Sequence, residues 1–172
     1  MKKRNPISFS IWLVPDEPVK SVIKDRIILL SKIYNSPKFI PHLTLLSGFL
    51  GKEKSLIEKT NFLSKKISSF KIKFEKLSSR SEFFRSLFIK VKMSKSLLKA
   101  HEISSETVDH NEEHFYPHMS LVYGDFSFSQ KESMISKIGK IEEGFEAKYI
   151  YLAHNDEINL KWKIICRFSL VN

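Results

Sequence analysis

The sequence contains a single cysteine, Cys166, which excludes an intrachain disulfide and any cysteine-based metal cluster. A cytoplasmic protein is the expectation. No apolar stretch approaches the roughly twenty residues that a membrane-spanning helix needs, so no membrane partner is expected. Five glycines and six prolines leave no stretch rich enough in either to act as a flexible linker. The chain of 172 residues therefore reads as one domain over 1–172, long enough to bury a core of its own. Met1-Lys2-Lys3-Arg4 ahead of Ile7 to Val14 has the charge pattern of a secretory leader. That apolar stretch is interrupted by Ser8, Ser10 and Trp12 and closes on Pro15-Asp16-Glu17 rather than on small residues, so it reads as a strand of the mature protein.

What the chain does have is positive charge. Lys and Arg number 29 against 19 Asp and Glu, a net charge of +10, which favours encounter with polyanions or phosphorylated small molecules. Lys52, Lys54, Lys59, Lys65 and Lys66 read as solvated helix faces, while Lys71, Lys73 and Lys76 alternate as a basic sheet edge would. Period-two alternation predicts strands over Ile7 to Val14, His42 to Leu50, Phe70 to Leu77, Glu82 to Val91, His118 to Tyr123, Phe145 to Ala153 and Lys161 to Val171. Helical spacing predicts helices over Asp16 to Tyr34, Glu53 to Ser68, Met93 to Thr107 and Ser129 to Gly139. The order gives an α+β fold whose second half repeats the plan of the first.

The repetition centres on two short segments, Pro41-His42-Leu43-Thr44 and Pro117-His118-Met119-Ser120, 76 residues apart. On a strand, side chains alternate faces, so each segment puts its His and its hydroxyl on one face and Leu or Met on the other. Both histidines follow proline, which is tolerated at a strand's first position, and both lead into apolar residues that suit buried strands. Two imidazoles can straddle a phosphorus centre as general acid and general base while two hydroxyls donate to its non-bridging oxygens. Trp12, out of step with the core residues of its strand, could stack a nucleobase. Phe84 could reach the same cleft. Tyr123 shares parity with Met119 and Leu121 and by strict alternation faces the core. His110, His114 and His118 stand four apart near Asp109, Glu112 and Glu113, but Pro117 breaks any helix that would align them, so no metal or other cofactor is expected. His101 reads as a helix-surface residue and His154 as a strand-end one.

These residues resemble the two-histidine phosphoesterase superfamily, whose mark is a pair of His-x-Thr/Ser motifs, and within it the plant-type cyclic phosphodiesterases. Four segments carry the resemblance in order: Ser10-Ile11-Trp12-Leu13-Val14-Pro15, Phe39-Ile40-Pro41-His42-Leu43-Thr44, Glu82-Phe83-Phe84-Arg85-Ser86-Leu87-Phe88, and Pro117-His118-Met119-Ser120-Leu121-Val122-Tyr123. The resemblance implies a pseudo-symmetric two-lobed fold, antiparallel sheets lining a central cleft with helices outside. It also implies metal-independent opening of a small cyclic phosphate: a nucleoside 2',3'-cyclic phosphate to the 2'-phosphate, or ADP-ribose 1'',2''-cyclic phosphate to the 1''-phosphate. By the same resemblance His42 protonates the leaving oxygen, His118 activates water, Thr44 and Ser120 hold the phosphate, and Trp12 and Tyr123 line the substrate site. Arg85 stands where the plant proteins carry glutamine. A monomer is expected. Two alternatives stay open: a relative acting on RNA ends or 2',5'-linked oligonucleotides, and a non-catalytic RNA-binding module.

Overall fold

The computed structural model describes residues 7–112, 114–141 and 143–172. The basic start at Met1 to Arg4 and Glu113 lie outside the described residues. The elements follow as β1 (Ser8–Leu13), α1 (Val19–Tyr34), β2 (Leu43–Phe49), α2 (Glu53–Ser64), β3 (Phe70–Ser79), a 3-10 turn (Phe83–Arg85), β4 (Leu87–Val91), α3 (Lys95–Val108), β5 (His118–Val122), α4 (Phe128–Ile138), β6 (Gly144–Ala147), β7 (Tyr149–Asp156) and β8 (Lys161–Ser169). Local chemistry sets the helix ends. Ser94 caps α3 by accepting from the Leu97 amide, and Ser127 and Gln130 form a reciprocal capping box on α4. Asn35 and Asp109 end α1 and α3 in the left-handed conformation, which short polar side chains tolerate.

The eight strands form one sheet in the order β6-β3-β4-β5-β2-β1-β7-β8, with every strand pair antiparallel. The antiparallel sheets that the resemblance implies are joined as one curled sheet. Each side of the sheet, β6-β3-β4-β5 and β2-β1-β7-β8, takes two strands from either half of the chain, and the two His-bearing strands, β2 and β5, meet in the middle at Leu43 and Met119. The expected strand over Phe145 to Ala153 is two strands. Lys148 alone separates β6 from β7, yet the two stand near opposite ends of the strand order. A chain can do this only if the sheet curls until its flanks approach, and a parallel bridge between Ser68 and Val171 ties the two flanks together. Gly144 is required at the start of β6, where a Cβ would stand 1.9 Å from the Ile72 carbonyl oxygen.

Two further expectations change. The basic edge proposed for Lys71 and Lys73 is not an edge, because β6 pairs with β3 along Phe70 to Lys73. The strand expected over Glu82 to Val91 begins only at Leu87. Its first part is the 3-10 turn, closed by the Arg85 amide donating to the Glu82 carbonyl at 2.9 Å. Alternating aromatics mark residues that pack, and period two alone does not separate a strand from a short turn that leads into one.

One face of the sheet carries Ile11, Leu13, Leu43, Met119 and Leu121. These join Ile23, Ile27 and Leu30 of α1, Leu63 of α2, Leu97 of α3 and Met134 of α4 in the main core. The opposite face of β1 and β7 holds a second cluster around Trp12, Val14, Tyr151 and Ala153. Among the described residues no helix is long and apolar enough to cross a membrane.

Candidate active site

The two central strands bring the four expected residues onto one face. Extending the antiparallel register from Leu43 and Met119 sets His42 across from Ser120 and Thr44 across from His118. The two motifs thus lie side by side across the central strand pair, with His118 near enough to His42 to act on its charge. The residues that alternate with them, Leu43 and Met119, are wholly buried on the helix side and lock this register, since a slip of one residue would turn the polar set into the core.

Both imidazoles are held alike. His42 Nδ1 donates to the Ile40 carbonyl at 2.6 Å and His118 Nδ1 to the Tyr116 carbonyl at 2.8 Å. A carbonyl can only accept, so the proton sits on Nδ1 in the neutral ring and Nε2 carries the lone pair. No described residue hydrogen-bonds either Nε2.

An aromatic ring from the neighbouring strand supports each histidine. Trp12, paired with Thr44 in the sheet, lies flat against His42 with ring centroids 3.7 Å apart and planes at 14°. Phe88, paired with Ser120, meets His118 edge-on at 5.2 Å. Trp12 is 2% exposed, so its face is taken by the imidazole and is not open to a nucleobase as the sequence suggested. Phe88 is wholly buried, the core packing that its place on the strand suggests, and sequence reasoning gave it no part in the site. A signal was present: Ser10-Ile11-Trp12-Leu13 and Ser86-Leu87-Phe88-Ile89 are offset by the same interval as the two histidines, so the repeat extends to the supporting strands.

Burial pushes the His42 imidazole down to about 4, with the Ile40 carbonyl opposing the shift and His118 adding to it. Burial likewise pushes His118 down to about 4; the Tyr116 carbonyl and Glu82 oppose this, while Arg85 and Arg80 add to it. The two arginines share Glu82, at 3.6 Å for Arg80 and 3.3 Å for Arg85, and Arg80 also lies over the Tyr116 ring at 4.2 Å. Arg85 thus sits on the His118 side of the site.

Thr44 is half-buried with no hydrogen-bond partner for its hydroxyl among the described residues. Ser120 is buried and donates to the Phe84 carbonyl at 3.0 Å. Tyr123 lies just beyond the end of β5, where alternation no longer fixes its direction, and its hydroxyl stands near Ser120 while burial raises its pKa. The ring stacks on Phe39 at 3.9 Å and meets Phe84 at 5.2 Å and Trp162 at 5.4 Å. Phe84 and Tyr123 are thereby brought beside Ser120, Phe84 through the 3-10 turn that aims its carbonyl. Gly124 lets the chain leave Tyr123 at φ 149° while its amide donates to the Phe83 carbonyl at 2.9 Å. Trp162, from β8, was missed by sequence reasoning; its only local sign is that it is one of two tryptophans. His101 is buried rather than on the surface, donating from Nδ1 to the Leu45 carbonyl at 2.7 Å and stacked on Phe115 at 4.1 Å. His110 is half-buried in the loop after α3, and His114 is exposed.

A curled antiparallel sheet with a His-x-Thr/Ser set on each of its two central strands has the architecture of a two-histidine phosphoesterase. Solved structures agree on the fold: Escherichia coli LigT complexed with 3'-AMP superposes with a TM-score of 0.61 at 12% identity, over 98% of this chain and 100% of that one. TT0787 of Thermus thermophilus superposes with a TM-score of 0.61 at 13% identity, over 95% of this chain and 97% of that one. The chain belongs to the family described as cyclic phosphodiesterase-like protein, which matches residues 7–172, and so to a family of phosphoric diester hydrolases. Curated relatives include an Arabidopsis thaliana cyclic phosphodiesterase, 22% identical over 80% of this chain and 77% of that protein. A second is a Phaeosphaeria nodorum 2',3'-cyclic-nucleotide 3'-phosphodiesterase, 30% identical over 67% of this chain and 68% of that protein.

Proposed function

We propose that the chain opens ribose cyclic phosphates by two-histidine acid and base catalysis without a metal, taking a nucleoside 2',3'-cyclic phosphate to the 2'-phosphate or ADP-ribose 1'',2''-cyclic phosphate to the 1''-phosphate. The observation that carries this reading is the meeting of the two His-x-hydroxyl motifs on adjacent central strands, with both rings held through Nδ1. The name of the Phaeosphaeria relative, a 3'-phosphodiesterase of 2',3'-cyclic nucleotides, supports cleavage at the 3' oxygen. Among the described residues no three His, Cys, Asp or Glu side chains stand together as a metal site would need.

With both rings held down to about 4, both are neutral near pH 7 in the free protein. A bound phosphate monoanion favours the imidazolium beside it, and the two rings differ in their readiness to carry that charge. Trp12 offers its π face to His42, which stabilises a cation. Arg80 and Arg85 oppose a positive charge on His118. His42 is therefore the acid and His118 the base. Water attacks phosphorus as His118 Nε2 takes its proton, the bond from phosphorus to the 3' oxygen breaks, and His42 Nε2 delivers its proton to that oxygen. Thr44 and Ser120, the latter released from the Phe84 carbonyl, donate to the non-bridging oxygens, where charge builds in the transition state. Proton exchange with solvent then resets the pair.

The test is hydrolysis of the four nucleoside 2',3'-cyclic phosphates and of ADP-ribose 1'',2''-cyclic phosphate in the presence of a chelator, with the product isomer read by phosphorus NMR. Turnover to the 2'- or 1''-phosphate that is lost in His42→Ala and His118→Ala is the expected result. Full activity in either variant, or activity that chelation abolishes, overturns the mechanism.

A further inference from the structure

The register between β1 and β2 slips by one residue at the first motif. Trp12 stands against Thr44 and Ile11 against Leu46, so Leu45 is an extra residue on β2, a β-bulge directly after the motif's hydroxyl. β5 carries the equivalent bulge at Leu121, directly after Ser120, because Phe88 stands against Ser120 and Leu87 against Val122. A bulge leaves its extra residue unpaired, bends the strand and re-aims the side chains beside it. The direction of each hydroxyl in the site therefore depends on how its bulge is held.

The two are held differently. Ser120 is fixed through its own hydroxyl, which donates to the Phe84 carbonyl at 3.0 Å. The Thr44 hydroxyl has no hydrogen-bond partner among the described residues, so its direction comes from the backbone, which a β-branched side chain with few rotamers follows closely. That backbone is held from the helix side by α3. The Leu45 carbonyl accepts from His101 Nδ1 at 2.7 Å, and both residues are buried. Phe115 fixes the His101 ring in turn, lying parallel to it at 4.1 Å and 2°. Phe115 immediately precedes Tyr116, whose carbonyl holds His118. His101 thus joins the bulge behind Thr44 to the segment that leads into the second motif, and the reaction as derived gives it no part. A hydrocarbon ring would also fill this space and stack on Phe115; what the imidazole adds is a donor for a buried carbonyl at the bulge.

We infer that His101 is a positioning residue for Thr44: its bond to the Leu45 carbonyl fixes the bulge that aims the Thr44 hydroxyl at the phosphate. It acts only through the backbone of β2. The inference rests on the proposed function above, in which Thr44 donates to a non-bridging oxygen.

The test is a double-mutant cycle in kcat/KM, run on whichever of the nucleoside 2',3'-cyclic phosphates and ADP-ribose 1'',2''-cyclic phosphate the wild type opens fastest. His101→Phe keeps a ring against Phe115 and removes the donor, whereas His101→Asn puts an amide nitrogen where Nδ1 stands. Each is made in the wild type and in the Thr44→Ala and Ser120→Ala backgrounds. His101→Phe is expected to lower kcat/KM about tenfold in the wild type and in Ser120→Ala. In Thr44→Ala, where no hydroxyl is left to aim, it costs less than about twofold. His101→Asn recovers most of the loss. A merely structural role takes the same factor from every background. His101→Leu, which also leaves the carbonyl without a donor, runs the same cycle if His101→Phe does not fold. A full loss in Thr44→Ala, or none in the wild type, overturns the inference and leaves the proposed function standing. A Thr44→Ala variant as active as the wild type, or a wild type that opens none of these substrates, overturns the role proposed for Thr44 and the inference with it.

Discussion

His42 and His118 make the same backbone bond, each donating Nδ1 to the carbonyl two residues back, yet their surroundings diverge. His42 lies flat on an indole with the hydroxyl of its own motif, Thr44, unpartnered among the described residues. His118 meets only a ring edge, is faced by two arginines, and shares its motif with a serine already bonded to Phe84 and standing near Tyr123. A duplicated plan supplies two equivalent nitrogens. The proposed hydrolysis needs them unequal, one charged and one neutral, and the neighbours supply the difference. The largest effect that would break the pairing is removal of a ring. His42→Ala and His118→Ala each lower kcat/KM about 10²- to 10⁴-fold, the typical worth of a positioned acid or base. The double variant is little worse than either single one, because the two act on one proton circuit. A steady-state assay on a cyclic nucleotide checks both, and additive losses would mean that the halves work independently.

The hydroxyls come next in size and separate the halves more finely. Thr44→Ala removes a donor that hydrogen-bonds no described protein group, so it lowers kcat/KM about 10- to 100-fold and leaves the thermal midpoint near that of the wild type. Ser120→Ala lowers kcat/KM by a comparable factor but also strips a donor from the Phe84 carbonyl beside the buried Tyr123. Leaving buried polar groups unpaired costs about 1–3 kcal/mol, so this variant also melts lower. Activity and melting measured on the same two preparations decide whether the asymmetry is real, and equal melting losses would erase it.

Acid stability probes what the two rings have in common. Each has its pKa depressed from the ordinary histidine value to about 4, so between about pH 4 and pH 6.5 the unfolded chain binds more protons at these positions than the folded one. Unfolding free energy therefore rises with pH across that window and is lost as the protein is acidified through it. Denaturant titrations at pH 7 and pH 5 show a drop in stability for the wild type, and His42→Gln removes its share of that drop. A variant as acid-sensitive as the wild type would mean that His42 is not buried neutral.

How much of this was legible in the sequence follows the range of each interaction. The His-x-hydroxyl sets, their shared face and the four helices were readable because they depend on spacing within one element. The burial of Trp12 was not, since alternation states only that it leaves the core face; that His42 and the second cluster cover that other face is a long-range fact. Trp162 and Tyr123 meet because the sheet curls, and the curl follows from a one-residue break at Lys148 inside what reads as a single continuous strand. Phe84 looked like a strand residue because the turn that carries it is too short to leave a periodic trace. The supporting pair, Trp12 and Phe88, lay within reach of sequence reasoning, at the interval already set by the histidines.

The smallest effects sharpen the comparison most, because they have opposite signs. Arg85 disfavours the His118 imidazolium while Glu82, its ion-pair partner, favours it. Arg85→Gln removes the first influence and leaves Glu82 paired with Arg80 alone, so the His118 pKa rises. On the other side, Trp12→Leu replaces a π face under His42 with an aliphatic group that cannot stabilise a cation, so the His42 pKa falls further below the ordinary histidine range. Each shift is about half a unit to one unit, and each is confined to its own ring because the two perturbing groups lie on opposite halves. Titration of the imidazole nitrogens by NMR reads both rings in one sample. Opposed shifts, each on the expected ring, would establish that these neighbours divide the acid from the base. Shifts of the same sign, or an Arg85→Gln shift appearing on His42, would return the two halves to equivalence and leave substrate binding alone to choose between them.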